Sequence, residues 1–212
     1  MNPRTVRETV AGPAGMIECA FDRPASAPIG IAVVCHPHPQ FGGTLDNKVV
    51  QTVARALLQI GWASLRFNYR GVGASEGAWD EGRGEIDDAL AVVAAARRRG
   101  DLPALPLLLA GFSFGGFVAA AAADLLPEAA RARRLVLVAP STEKQHVPSV
   151  PADTIVVHGE SDEVVPLAAT LAWARPQSLP VVVLPGVGHF FHGQLALLKS
   201  VIVRELRDLA AV

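Results

Sequence analysis

Charge and cysteine are both scarce in this chain. Asp, Glu, Lys and Arg make up 18% of its 212 residues, and the formal net charge is −1. So balanced a chain lacks the basic footprint that nucleic acid demands. With 50% hydrophobic residues it also falls outside the low-hydrophobicity, high-charge composition of disordered proteins. Two cysteines, Cys19 and Cys35, make no disulfide framework. Long apolar runs are missing as well. A membrane span needs roughly 18 consecutive apolar residues, whereas the most apolar stretch, Leu102 to Phe112, is broken by Pro103 and Pro106. Residues Met1 to Pro13 are polar and mixed in charge, unlike a signal peptide. Aromatics contribute only 6%, so Ala, Val and Leu carry much of the apolar content, which suits helices and strands buried on both faces. The expectation is a soluble, cytoplasmic globular chain forming one domain over residues 1–212, with neither nucleic acid nor membrane as partner. Composition sets no oligomeric state.

What is present is an alternation of strand-like and helix-like segments. Strands are predicted at Ile29–Cys35, Trp62–Tyr69, Leu107–Phe112, Leu135–Ala139, Thr154–His158 and Val181–Leu184. Between them, Val49, Val50, Val53, Ala54, Leu57 and Leu58 share a helical face that stops at Gly61. Further helices are predicted at Glu85–Arg99, Gly115–Leu126, Leu167–Ala174 and Leu195–Ala210. That order calls for an α/β protein, a three-layer α/β/α sandwich around a mostly parallel sheet. The beginning differs: Val6–Val10 and Met16–Phe21 are joined by Gly12-Pro13-Ala14-Gly15, a connection short enough only for antiparallel strands. In such sheets ligands bind beyond the carboxyl ends of the strands, so catalytic residues should lie just after them.

Leu107–Phe112 runs into Gly111-Phe112-Ser113-Phe114-Gly115-Gly116 and then an Ala-rich segment, which is G-x-S-x-G between a strand and a helix. Glycines at 111 and 115 allow a turn sharp enough to lift the Ser113 hydroxyl above the sheet. A serine needs a base. His189, in Gly186-Val187-Gly188-His189 after the strand ending at Leu184, is favoured on loop position over His192, which is expected to start the last helix. The imidazole needs an acceptor, and Asp162 in Gly159-Glu160-Ser161-Asp162-Glu163 is preferred over its acidic neighbours. The order Ser113, Asp162, His189 is the one this motif requires. Two backbone N–H groups should bind the oxyanion, those of Phe114 and of His38 in His36-Pro37-His38-Pro39. His36 and His38 have H-x-H spacing, yet no third metal ligand is marked; His36 reads as a loop anchor and Cys35 as packing. Gly71, Gly73 and Gly77 are wrongly spaced for a dinucleotide site. Phe41, Phe112, Phe190 and Phe191 are candidates for an apolar acyl pocket.

These segments, with Phe41-Gly42-Gly43, Phe67–Ser75 and Gly188-His189, resemble the α/β-hydrolase superfamily. The likeness is to small bacterial serine hydrolases without a cap, of the dienelactone-hydrolase-like and X-Pro dipeptidyl-peptidase-domain-like group. The resemblance implies an eight-stranded sheet with strand two antiparallel, a Ser–Asp–His triad, and no cofactor or metal. It departs from many relatives at Pro37, where they carry Gly, and at Asn68, where they carry Asp, which bears on the partner of Arg70. The expected activity is hydrolysis of a small ester or thioester through an acyl-enzyme on Ser113; a peptidase or amidase on the same residues, or a non-catalytic binding protein, are the alternatives. Pro140–Asp153, where a cap would be inserted, is too short for one, so an open, shallow site is expected.

Overall fold

The computed structural model describes residues 5–100 and 105–210. The break at Pro103 and the start of the Met1–Pro13 segment therefore lie outside the described residues. Strands β1 (Val6–Gly12), β2 (Gly15–Asp22), β3 (Gly30–Cys35), β4 (Trp62–Phe67), β5 (Leu107–Phe112), β6 (Arg134–Val138), β7 (Ile155–Gly159) and β8 (Val181–Leu184) form one eight-stranded sheet, in the order β1-β2-β4-β3-β5-β6-β7-β8. The Pro13-Ala14 turn folds β1 back on β2, and β2 is antiparallel to β4; from β4 to β8 every pairing is parallel.

Helices α1 (Lys48–Gln59), α2 (Arg83–Arg97), α3 (Phe114–Leu125), α4 (Leu167–Ala174), α5 (Leu195–Glu205) and α6 (Arg207–Ala210) cover the sheet. Val49, Val53 and Leu57 of α1 join Leu198 and Ile202 of α5 in a core on one face. Ala89 and Val93 of α2 join Val118 and Ala122 of α3 on the other. Leu57 is fully buried, a contribution of about 1.5–3 kcal/mol by the area rule. Asn47 caps α1, its Oδ1 accepting from the Val49 amide at 2.9 Å; such a cap stabilises by about 1 kcal/mol. Among the described residues no helix is long and apolar enough to cross a membrane.

Several predicted ends shift by one or two residues, and two differences stand out. The fourth strand stops at Phe67 rather than Tyr69, because Asn68 N–H turns to the Glu18 carbonyl and Tyr69 N–H to the His36 ring. The last helix is divided at Leu206 into α5 and α6. The chain reverses its winding between β3 and β5, adjacent strands that pair Cys35 with Gly111. Loops leaving such a switch point enclose a crevice at the carboxyl edge of the sheet.

Candidate active site

The turn after β5 is built by close approach. A Cβ on Gly111 would lie 1.9 Å from the Gly115 carbonyl oxygen, and one on Gly115 would lie 2.3 Å from that of Cys35. With both atoms absent, the chain reverses within one residue, and Ser113 takes that position with φ +56°. A non-glycine residue at positive φ is strained by about 1–3 kcal/mol and is retained where surrounding structure holds it. Here Ser113 N–H donates to the Val138 carbonyl at 2.9 Å, and its carbonyl accepts from Gly116 and Ser141. The hydroxyl is thereby fixed at the start of α3.

Two loops from the far side of the sheet meet it. His189, between β8 and α5, places Nε2 3.0 Å from Ser113 Oγ and Nδ1 2.7 Å from Asp162 Oδ2. Asp162, in the turn after β7, accepts on Oδ1 from the Val164 and Val165 amides at 2.9 and 2.8 Å. Burial alone would push the Asp162 carboxyl up, but hydrogen bonds from His189 and the two amides outweigh it, and the group is held below its ordinary value. It is therefore an anion across the neutral range. A carboxylate on Nδ1 fixes the tautomer that leaves Nε2 free to accept from the serine. The rival His192 is exposed in the turn before α5, which starts only at Leu195.

Strand position had marked His158 only as the end of an apolar run. It is fully buried, and its Nε2–H donates to the Val165 carbonyl at 2.9 Å, with Asp162 Oδ2 3.4 Å away. Asp162 thus lies between two imidazoles. Burial lowers the His158 pKa, so this ring is neutral. The signal in the sequence was a single histidine inside an otherwise aliphatic strand, directly before the acidic turn.

A cleft of about 350 Å³ opens above Ser113 and His189. Phe114 and His38 both line it. Phe114 is the first residue of α3, so its N–H has no acceptor within the helix. The His38 ring is occupied otherwise: Nδ1 accepts from Gln40 N–H, and the ring packs 5.0 Å from Phe114 and 4.6 Å from Trp79. Of the four expected pocket phenylalanines, Phe41 and Phe190 line the cleft and are exposed. Phe112 and Phe191 do not. Both are fully buried beneath it, with Phe112 packed 4.9 Å from the His189 ring, because β5 and the turn before α5 direct them into the core. The remaining lining includes Val164, Val165, Ser141, Asn47 and Lys144, none of which the motifs had marked.

His36 is the loop anchor expected of it. Its Nδ1–H donates to the Pro37 carbonyl at 2.6 Å, and Nε2 accepts from Tyr69 N–H at 3.2 Å. With both nitrogens engaged it faces no metal, and among the described residues no His, Cys, Asp and Glu cluster could hold one. Cys35 is buried, its thiol pushed up to about 12 by desolvation, which leaves it a packing group. Arg70, whose partner was open in the sequence, is clamped by Asp88 through Nε and Nη2 at 2.9–3.2 Å. Asn68, in place of the more usual Asp, donates to Glu18 and accepts from Leu45 N–H.

Residues 31–153 match the family described as serine aminopeptidase, S33. That stretch holds Ser113 and stops short of Asp162 and His189. A lidless α/β serine hydrolase from Xanthomonas campestris superposes with TM-score 0.90 at 35% identity, over 99% of this chain and 96% of that one. An α/β serine hydrolase homologue from Coxiella burnetii gives 0.85 at 37%, over 95% and 97%. An uncharacterised protein of Rickettsia prowazekii is 41% identical over 108 residues, 51% of this chain. The chain spans 45% of that relative's length and 60% of an uncharacterised protein of Mycobacterium tuberculosis.

Proposed function

Because the chain belongs to the α/β-hydrolase superfamily, through the family described as serine aminopeptidase, S33, we propose that it is a serine hydrolase of small carboxylic esters or thioesters. The observation that carries this reading is the unbroken row Asp162–His189–Ser113, with links of 2.7 and 3.0 Å, ending on a hydroxyl in an open cleft.

In the proposed reaction, Ser113 Oγ attacks the carbonyl carbon while its proton passes to His189 Nε2. Asp162 stabilises the imidazolium that forms. The amide of Phe114, and that of His38 across the cleft, bind the oxyanion; losing one such donor typically costs about 10²–10³ in rate. Collapse of the tetrahedral adduct expels an alkoxide or thiolate, which takes the proton from His189. A water then gives its proton to His189, attacks the acyl-enzyme, and releases a carboxylic acid as Ser113 regains its proton. The reaction asks for no cofactor.

The family's description as a serine aminopeptidase raises a second reading. Such an enzyme needs a carboxylate to hold the free α-amino group. Among the described residues no Asp or Glu lines the cleft, whereas Lys144 does, and the ester reading is favoured for that reason. Replacing Ser113→Ala should reduce hydrolysis of 4-nitrophenyl acetate by at least about 10⁴-fold and abolish labelling by a fluorophosphonate probe. Full activity in this variant would end the assignment.

A further inference from the structure

One lysine stands among the residues that line the cleft. Around Ser113 its walls are Pro37, Phe41, Phe114, Val164, Val165 and Phe190, and among the described residues Lys144 is the only Lys, Arg, Asp or Glu that lines it. This lysine lies in the segment between β6 and β7, which contains no helix or strand among residues 139–154. The segment is nonetheless well tied. Ser141 N–H donates to the carbonyl of Ser113 itself at 3.1 Å, and Gln145 N–H closes the turn onto Ser141 at 3.1 Å. Thr142 Oγ1 meets Thr170 Oγ1 at 3.0 Å, and Trp173 Nε1–H donates to the Val147 carbonyl at 3.0 Å. The backbone bearing Lys144 is thus referenced directly to the nucleophile on one side and to α4 on the other.

Three acids on loops that reach the cleft, Glu143 and Glu163 aside, have other partners. Asp162 is held by His189, Glu160 accepts from Gly186 N–H, and Asp46 pairs with Arg7 and Arg66. Among the described residues Lys144 has no ion-pair partner. Its field reaches the opposite wall: after burial, the Lys144 charge is the second cause holding the His38 ring below its ordinary pKa. His38 therefore stays neutral and offers no competing cation. A single unneutralised ammonium beside apolar walls favours one feature in a ligand, a negative charge next to an apolar body.

Resting on the ester-hydrolase reading, we propose that Lys144 is a charge-recognising subsite and that the substrate is an anionic ester or thioester, bearing a carboxylate or phosphate beyond the scissile carbonyl. The charge can sit on the acyl side or on the leaving group, and two substrate pairs separate these sources. One pair is 4-nitrophenyl hydrogen adipate against 4-nitrophenyl hexanoate; the other is 4-acetoxybenzoate against 4-acetoxybenzamide. The quantity read is the quotient of kcat/KM for the anionic over the neutral member, which cancels differences in intrinsic reactivity when variants are compared.

For at least one pair, Lys144→Gln should lower that quotient by roughly three- to fivefold, the scale of a partly solvated charge pair. Lys144→Glu should lower it by roughly tenfold, and about 1 M salt should remove most of the difference. Lys199→Gln, on α5 and outside the cleft lining, removes the same net charge and should leave the quotient where it was. Quotients that stay flat in both Lys144 variants for both pairs overturn the subsite, as does an equal fall in Lys199→Gln. Failure of the unaltered enzyme to cleave any of the four esters overturns the ester reading itself, and this inference with it.

Discussion

Of the buried histidines at the carboxyl edge of the sheet, two put the same side chain to opposite use. His36, after β3, gives Nδ1–H to the Pro37 carbonyl and accepts from Tyr69 N–H. Both partners are backbone, and the neighbouring Arg70 is likewise closed onto Asp88. His189, after β8, has side chains at both ends, a carboxylate and a hydroxyl. A network that terminates on backbone cannot pass a proton without breaking the fold. One that terminates on a hydroxyl in a cleft can. The difference separates scaffold from proposed machinery better than burial does, since both rings are almost fully buried.

The sharpest way to break this comparison is at Asp162. Asp162→Asn keeps the shape but removes the charge that stabilises the imidazolium and sets the tautomer. Hydrolysis should fall by about 10⁴-fold, and the thermal midpoint near neutral pH should fall with the lost carboxylate contribution. The Asp162 carboxyl is depressed in the fold, so its contribution to stability is present above the unfolded value of about 3.9 and is lost as pH falls through the folded one. The variant and parent should therefore converge in stability only in strong acid. A rate loss under tenfold would place proton handling elsewhere.

The scaffold side should answer in the opposite currency, stability without chemistry. Asp88 is buried and grips a guanidinium that lies across Gly84, where a Cβ would sit 2.0 Å from Arg70 Nη1. Asp88→Ala leaves Arg70, 12% exposed, without its hydrogen-bonded carboxylate. The expected cost is about 2–4 kcal/mol in urea unfolding, less than for a fully buried pair because the arginine keeps some solvent. Asp88→Asn, which retains an acceptor, should cost less.

Much of this was legible beforehand, and the reasons are physical. Buried parallel strands read as aliphatic runs, and a sharp strand-to-helix turn requires small residues at fixed offsets, so β5 and Gly111–Gly116 stand out locally. Loop position alone was enough to prefer His189 to His192. What stayed hidden depends on pairing between distant segments. Whether Phe112 faces the cleft or the core follows from sheet orientation; the partner of Arg70 is 18 residues away on α2. Lys144 gains its place only because Ser141 is tied to Ser113, a contact with no local signature. His158 looked like the end of a strand until the fold set it beside Asp162.

The smallest expected effect tests the scaffold histidine by acid. Burial lowers the His36 pKa to about 3, against about 6.5 for an unfolded chain. The unfolded state therefore binds a proton that the folded state refuses throughout the interval between those values. Stability from His36 is complete above pH 6.5 and declines as pH falls, by about 1.4 kcal/mol per unit, or about 2 kcal/mol by pH 5. His158, lowered in the same direction, adds to the slope. In His36→Asn the amide nitrogen can keep the bond to Pro37 while the titration disappears. Its stability should be lower near pH 7, where Tyr69 N–H has lost its acceptor, and should fall less steeply toward pH 5, by nearly one proton's worth. An unchanged slope in His36→Asn would mean that His36 is not the buried scaffold group its partners suggest.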